Sequence, residues 1–210
     1  MIDMLPSDRR TRRFVQLFVG LALYGLSSAL MIRGQLGLDP WDVFHQGLVR
    51  HTGLSFGAIT IIVGAVVMLG WIPLRQRPGI GTLSNVILVG VSVDASLAIL
   101  PAPHDLVSRI AFLAAGIVLC GFATGCYVGA GLGPGPRDGL MTGLVARTGG
   151  SIRLVRTGIE IAVLAIGWLL GGSVGLGTLA YALAIGPLVH FFLPLMKITA
   201  PEPAPEPVAS

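Results

Sequence analysis

Displaced by about 96 residues, the chain matches itself without a gap. "GLALYGLSSAL" from Gly20 lies over "GIVLCGFATGC" from Gly116. "LGLDPWDVFHQGLVRHTGLS" lies over "LGPGPRDGLMTGLVARTGGS", and "GIGTLSNVILVGVSVD" from Gly79 over "GLGTLAYALAIGPLVH" from Gly175. About 23 identities fall in about 82 aligned positions. Shared apolar composition alone does not align Pro40 with Pro136, Asp42 with Asp138, Gly47 with Gly143, Thr52 with Thr148, Gly53 with Gly149 and Thr82 with Thr178. Two copies of one unit therefore constrain any fold this chain adopts.

The unit is a membrane unit. The chain is 53% hydrophobic and 11% charged, with a mean hydropathy of +0.83. A soluble domain carries about 25% charged residues. Apolar runs of about 20 residues match the roughly 30 Å of bilayer hydrocarbon. Each copy reads as span, short helix, span, span. Spans are expected near 14–33, 56–74, 79–99, 109–129, 152–171 and 176–197, and short helices near 40–51 and 136–147. The expected architecture is all-α and polytopic: a basic N-terminal tail (1–12), repeat 1 (13–94), a connecting loop (95–108) and repeat 2 (109–190). The end of the last helix and a proline-rich tail follow (191–210). "APEPAPEPVAS" in that tail reads as disordered or extended.

Three spans per copy is an odd number, so the second copy enters the membrane from the opposite face. Such inverted repeats are common in transporters. With both termini cytoplasmic, Arg9, Arg10, Arg12, Arg13, Arg75, Arg77, Arg137, Arg147, Arg153, Arg156 and Lys197 fall inside. Only Arg33, Arg50 and Arg109 fall outside, as the positive-inside rule expects. An eight-span alternative, with the short helices crossing, fails on length. About 12 helical residues reach only about 18 Å, and crossing would bury Asp42 and His45. The N-terminal "SDRRTRR" and its apolar run imitate a signal peptide. The counterpart of that run inside the chain argues that it is retained.

The same placement explains the net charge of +4. The basic residues sit at span ends and not in a stripe interleaved with aromatics, so no nucleic-acid partner is expected. Cys120 and Cys126 lie about 9 Å apart along one helix, beyond disulfide reach. Neither they nor the scattered His45, His51, His104 and His190 form a metal signature. No HExxH, phosphate-binding loop or GxSxG occurs. Neither enzyme activity nor a cofactor is expected.

The short helices carry the local signals. Asp39 is a good N-cap, Pro40 suits the first helical position, and Gly53 is a plausible stop. Asp42, at the third position, can reach back to free amides at the positive helix end. The second copy keeps Pro136, Asp138 and Gly149 but places Gly135 at the cap and Arg137 opposite Trp41. Two readings stand. The helices are re-entrant, meeting from opposite faces around a solute. Or they lie flat at the interface, anchored by Trp41 and Phe44. Under the first, an aspartate at the helix start favours a cation or neutral polar solute, which Arg137 could reverse.

Candidate lumen residues are Asp42, Asp138, Arg137, Glu160, Arg156 and Asn85. Asp42 and Asp138 are equally readable as caps of their own helices. Glu160, deep in its span, is a functional candidate by depth and is equally readable as an ion pair with Arg156, one turn earlier. Asp94 and His190 fall at headgroup level. Asn85 and Tyr181 occupy equivalent positions and could line a lumen or bond across helices. Gly121, Gly125 and Gly129, with Gly25, Ala29 and Arg33 in the first copy, read as packing faces where the two units could meet.

"QLGLDPWDVFHQGLVRHTGLSFG", "WIPLRQRPGIGTLSNVILVG", "GLGPGPRDGLMTGL", "IRLVRTGIEI" and "GWLLGGSVGLGT" together give the chain a resemblance to the YczE/YyaS/YitT family of bacterial integral membrane proteins. It is closest to the YczE branch and runs from about residue 13 to about residue 195. The resemblance implies a bacterial cytoplasmic-membrane location. It supplies no activity or site residues. The expected function is a transporter or channel for a small polar solute or ion. The alternative is a non-transporting scaffold, sensor or accessory factor. The lipid bilayer is the expected surrounding, and a homo-oligomer stays open.

Overall fold

A computed structural model describes residues 9–198. The expected disordered segment within 191–210 and most of the basic tail fall outside them. Among the described residues the chain is helical throughout: α1 (Arg10–Gly34), α2 (Pro40–Thr52), α3 (Phe56–Leu69), α4 (Trp71–Leu74), α5 (Ile80–Ile99), α6 (Leu106–Gly129), α7 (Pro136–Thr148), α8 (Ile152–Leu169) and α9 (Leu176–Met196). The loop joining the two copies is 100–105, shorter than the expected 95–108, because α5 and α6 each run further.

Local chemistry sets the helix starts. Asp39 accepts from the amides of Trp41 and Asp42, Ser55 from Ala58, Asp105 from Ser108 and Ser151 from Leu154. Each satisfies amide groups that have no partner within the helix. The Ser108 hydroxyl and amide also hold the exposed Asp105 carboxyl below its usual range. Gly53 and Gly149 end the short helices at φ 70° and 68°, where a side chain would be strained.

Among the described residues, five helical stretches are long and apolar enough to cross a membrane: Arg10–Gly34, Phe56–Leu74, Ile80–Ile99, Leu106–Gly129 and Leu176–Met196. The stretch α8 has 18 residues but carries three charged ones, Arg153, Arg156 and Glu160, and is not among these five.

The centre is an antiparallel pair, α1 against α6. Gly20 lies against the backbone of Ala123 and Tyr127, and Gly116 against the backbone of Ser27 and Met31. Gly34, at the other end of α1, meets Arg109 and Leu113. Leu17, Leu21, Val89, Val93, Tyr127 and Ala130 form one core cluster around this pair.

The same contacts recur with the copies exchanged. The Gly81 amide donates to Leu132 O (2.9 Å), and its counterpart Gly177 donates to Leu36 O (2.7 Å). Arg13 donates to Ala130 O at 2.8 Å, and Arg109 to Gly34 O at 2.9 Å. The short helices also cross over. Gly47 of α2 packs on Gly167 of α8 and on Leu170 just after it, while Gly143 of α7 packs on Leu74 and Gln76 beyond α3.

One expectation changes here. Gly121, Gly125 and Gly129 do not join the copies. They face Leu188, Phe192 and Met196 of α9, as Gly25 faces Ser92 and Val93 of α5. The copies meet one helical face away, at Gly20 and Gly116. Arg13 lies near the start of α1. It is 7% exposed, and its guanidinium also donates to Ile198 O, covering the ends of two helices.

Candidate functional site

The first turns of α2 and α7 face each other across a cavity of about 370 Å³. Both starts are fixed by a proline at the first helical position. Tyr24, Tyr127 and Tyr181 line the cavity from α1, α6 and α9, Thr60 and Asn85 from α3 and α5, and Arg156 and Glu160 from α8.

Arg137 is the shared element. Its Nη1 lies 3.8 Å from Asp39 Oδ1 and its Nη2 3.9 Å from Asp42 Oδ1. The guanidinium sits over the Trp41 ring, 4.8 Å from its centre, a cation–π arrangement. Trp41 is 8% exposed and packs with Ile59 and Val63, so the molecule buries the ring that could have been an interfacial anchor. The Arg137 side chain keeps 28% exposure and lines the cavity.

The two copies cap their short helices differently. In α2, Asp39 takes the capping amides. Asp42 instead meets His45 Nδ1 at 3.2 Å through Oδ1, while its Oδ2 is buried without a hydrogen-bond partner. Asp42 is 3% exposed and stands behind the cavity wall, not on it. In α7 the cap position is Gly135, which has no side chain. Asp138 reaches back to the Gly135 amide at 3.2 Å and accepts from the Tyr127 hydroxyl at 3.1 Å, both on Oδ2. The expected reach-back thus occurs in the second copy. In the first, Asp39 already fills that role.

The cavity brings together five of the six candidate residues: Asn85, Arg137, Asp138, Arg156 and Glu160. Arg156 Nε donates to Glu160 Oε1 at 2.9 Å, and both side chains are more than a third exposed. Asp94 accepts from the Ser55 hydroxyl (2.5 Å) and the Gly57 amide (2.7 Å), tying α5 to the start of α3. His190, its counterpart, is exposed. Tyr181 meets the Cys120 sulfur at 3.8 Å across α9 and α6. Both cysteines are free.

Sequence reasoning missed Tyr24, Tyr127 and the cavity role of Asp39. The tyrosines sit in apolar runs and have no tyrosine counterparts in the other copy. Asp39 was read only as a cap. The structural pair Arg13 and Arg109 was also missed, although the two align as identical residues.

Chemically, acids predominate. Asp39, Asp138 and Glu160 line the cavity with Asp42 behind, against Arg137 and Arg156. Two helix N-termini add roughly half a positive charge each.

Residues 11–194 match the family DUF6198, described as a family of unknown function. The chain is 42% identical over 177 residues to an uncharacterized protein of Haemophilus influenzae, covering 84% of this chain and 81% of that one. It is 40% identical over 185 residues to the uncharacterized membrane protein YczE of Bacillus subtilis, covering 87% and 86%. It is 25% identical over 183 residues to the uncharacterized protein YyaS of the same organism, covering 85% and 91%. No solved structure matches the chain.

Proposed function

The chain belongs to the DUF6198 family, and on that premise we propose that it is a transporter or channel for a small polar solute or ion in the bacterial cytoplasmic membrane. It is built from two inverted three-span repeats with both termini cytoplasmic. The short helices are re-entrant, and their first turns frame the site.

One observation carries this reading. Arg137 at the start of one short helix meets Asp39 and Asp42 at the start of the other, on the wall of a polar-lined cavity. Flat interfacial helices on opposite faces would keep these residues about a bilayer thickness apart. Broken or half-length helices are a recurrent way to present charge near the bilayer midplane. The contacts that recur with the copies exchanged support a two-fold relation between the repeats. The antiparallel α1 and α6 give that relation opposite directions through the membrane. In this reading α8 is the sixth span, its charged residues facing the cavity and not lipid. The excess of acids favours a cation or a neutral polar solute over an anion.

The test is flux. Purified protein in sealed vesicles, assayed with a panel of cations and neutral polar solutes, is expected to carry at least one of them. Arg137→Met is expected to change the rate. Absence of binding and flux across the panel would reject transport and favour a scaffold or accessory role.

A further inference from the structure

The two copies differ in one place where their sequences also differ. In the first copy α3 and α5 pack tightly. Gly57 and Gly90 touch backbone to backbone, Ile61 fills the space beside Gly90, and a Cβ on Gly64 would lie 3.7 Å from Val86 Cβ. In the second copy the equivalent helices, α8 and α9, stand apart. Gly186, the counterpart of Gly90, has open space where a Cβ would sit.

The residue sizes across this gap are complementary. On α3 the positions facing α5 are Gly57, Ile61 and Gly64, and the equivalent of Ile61 is the smaller Thr157. The equivalents of the two glycines on α8 are large, Arg153 and Glu160. Opposite them on α9, Gly186 stands where Gly90 does, Ala182 where Val86 does and His190 where Asp94 does. Glu160 therefore has room on α9 beside Ala182 in a closed pairing, whereas Arg153, whose Cβ would meet the backbone at Gly186 as one on Gly57 would meet Gly90 O, keeps that end of the pair wider. The linkers differ too. Trp71 locks the end of α3 through its indole N–H to Pro136 O. The equivalent of Trp71 is Gly167, and the α8–α9 turn contains Gly171 at φ 89° and Gly172. The buried residue of α8 is Gly167, near that turn, which leaves the other end of the helix weakly held.

We infer that α8 closes onto α9 through Glu160 against Ala182 and Thr157 against Gly186, and that closing one pair is coupled to opening the other, so that the cavity faces first one side of the membrane and then the other. The described state is the one closed at Gly57–Gly90 and open between α8 and α9. The inference rests on the inverted-repeat reading above and not on transport itself.

Disulfide trapping tests it, in full-length protein with Cys120→Ala and Cys126→Ala, reconstituted in vesicles. Gly64→Cys with Val86→Cys has native-like disulfide spacing and is the folded control. Glu160→Cys with Ala182→Cys is its equivalent across the gap. Thr157→Cys with Gly186→Cys, equivalent to Ile61 and Gly90, is a second reporter at a position with room for a side chain. Both α8–α9 pairs are expected to bridge within one molecule. In the quadruple variant, forming the 64–86 bridge first should slow the 160–182 bridge about tenfold. Three results would overturn the inference: gap pairs that never bridge in protein that bridges 64–86, bridges that form between molecules, or rates indifferent to the 64–86 bridge. Trapping without any flux would remove transport and keep the motion. Flux without trapping would do the reverse.

Discussion

The guanidinium of Arg137 stands 3.8 Å from the carboxylate of Asp39, so the residue that opens one short helix is held by the residue that caps the other. Removing the cation leaves Asp39 and Asp42 facing each other's charge in a buried place. Arg137→Met should lower the melting temperature in detergent, with a cost of about 2 kcal/mol. That lies below the usual range for a broken buried pair, because the contacts are long and the cavity is wet. Asp39→Asn keeps a good cap and removes one of the charges. The double variant Asp39→Asn/Arg137→Met should therefore be less destabilised than the sum of the singles by about 1 kcal/mol. Strict additivity in a double-mutant cycle would show that the pair does not interact.

The caps offer a transplant. Asp138→Ala removes the bonds to the Gly135 amide and the Tyr127 hydroxyl, at a cost of about 1–2 kcal/mol. Gly135 has φ −64° and ψ 161°, a backbone that any residue adopts. A Cβ there lies 3.1 Å from Asp138 Oδ2, so Gly135→Asp alone crowds one carboxylate against another and destabilises. In the Asp138→Ala background the same change recreates the first copy's cap and should restore about 1 kcal/mol. If Gly135→Asp is equally harmful in both backgrounds by thermal unfolding, the capping account fails.

These caps also mark what the sequence disclosed. Helix starts and stops were legible because their causes are local: Pro40 and Pro136 at the first position, Gly53 and Gly149 at the last. The partners of the short helices were not legible. That α2 packs on α8, and α7 on the end of α3, depends on residues more than 60 positions apart and leaves no periodic signal. The candidate residues were found by charge, which is rare in apolar runs and so stands out. Tyr24 and Tyr127 escaped because a phenol in an apolar run looks like packing. Asp42 and Asp138 read alike in the sequence, as caps or as lumen candidates, yet only Asp138 lines the cavity. The cap residue one turn earlier, Asp39 against Gly135, breaks that symmetry. The substitutions of Gly57 by Arg153 and Gly64 by Glu160 were readable in the alignment, but their meaning needed the geometry of α5 and α9.

Arg13 yields a stability prediction away from the cavity. Its guanidinium holds Ala130 O at 2.8 Å and Ile198 O at 3.1 Å from a nearly fully buried position. Arg13→Ala leaves two carbonyls at helix ends without that donor, a loss of about 2–3 kcal/mol. Arg13→Lys should recover only part of it, since one ammonium does not reproduce a planar fork. Arg109 serves Gly34 O and Gln35 O from a more exposed site, so Arg109→Ala should cost less. Equal losses at the two positions in detergent melts would count against burial as the cause of the difference.

Sidedness gives the most direct test of the repeat reading. Thr52 and Thr148 end the two short helices in the same way, each hydroxyl donating to the carbonyl four residues back at 2.8 Å. Both are exposed, and local chemistry does not distinguish them. Opposite orientation of the repeats does: Thr52→Cys should react with a membrane-impermeant thiol reagent added to intact cells, and Thr148→Cys only in inverted vesicles. Gln76, which lies against Gly143 of α7, should follow Thr148 when changed to cysteine. Labelling of positions 52 and 148 from the same face would dismantle the inverted arrangement, and with it the two-sided cavity. Labelling from opposite faces, with position 76 inside, fixes the direction in which the gap between α8 and α9 opens: toward the cytoplasm, where α8 begins.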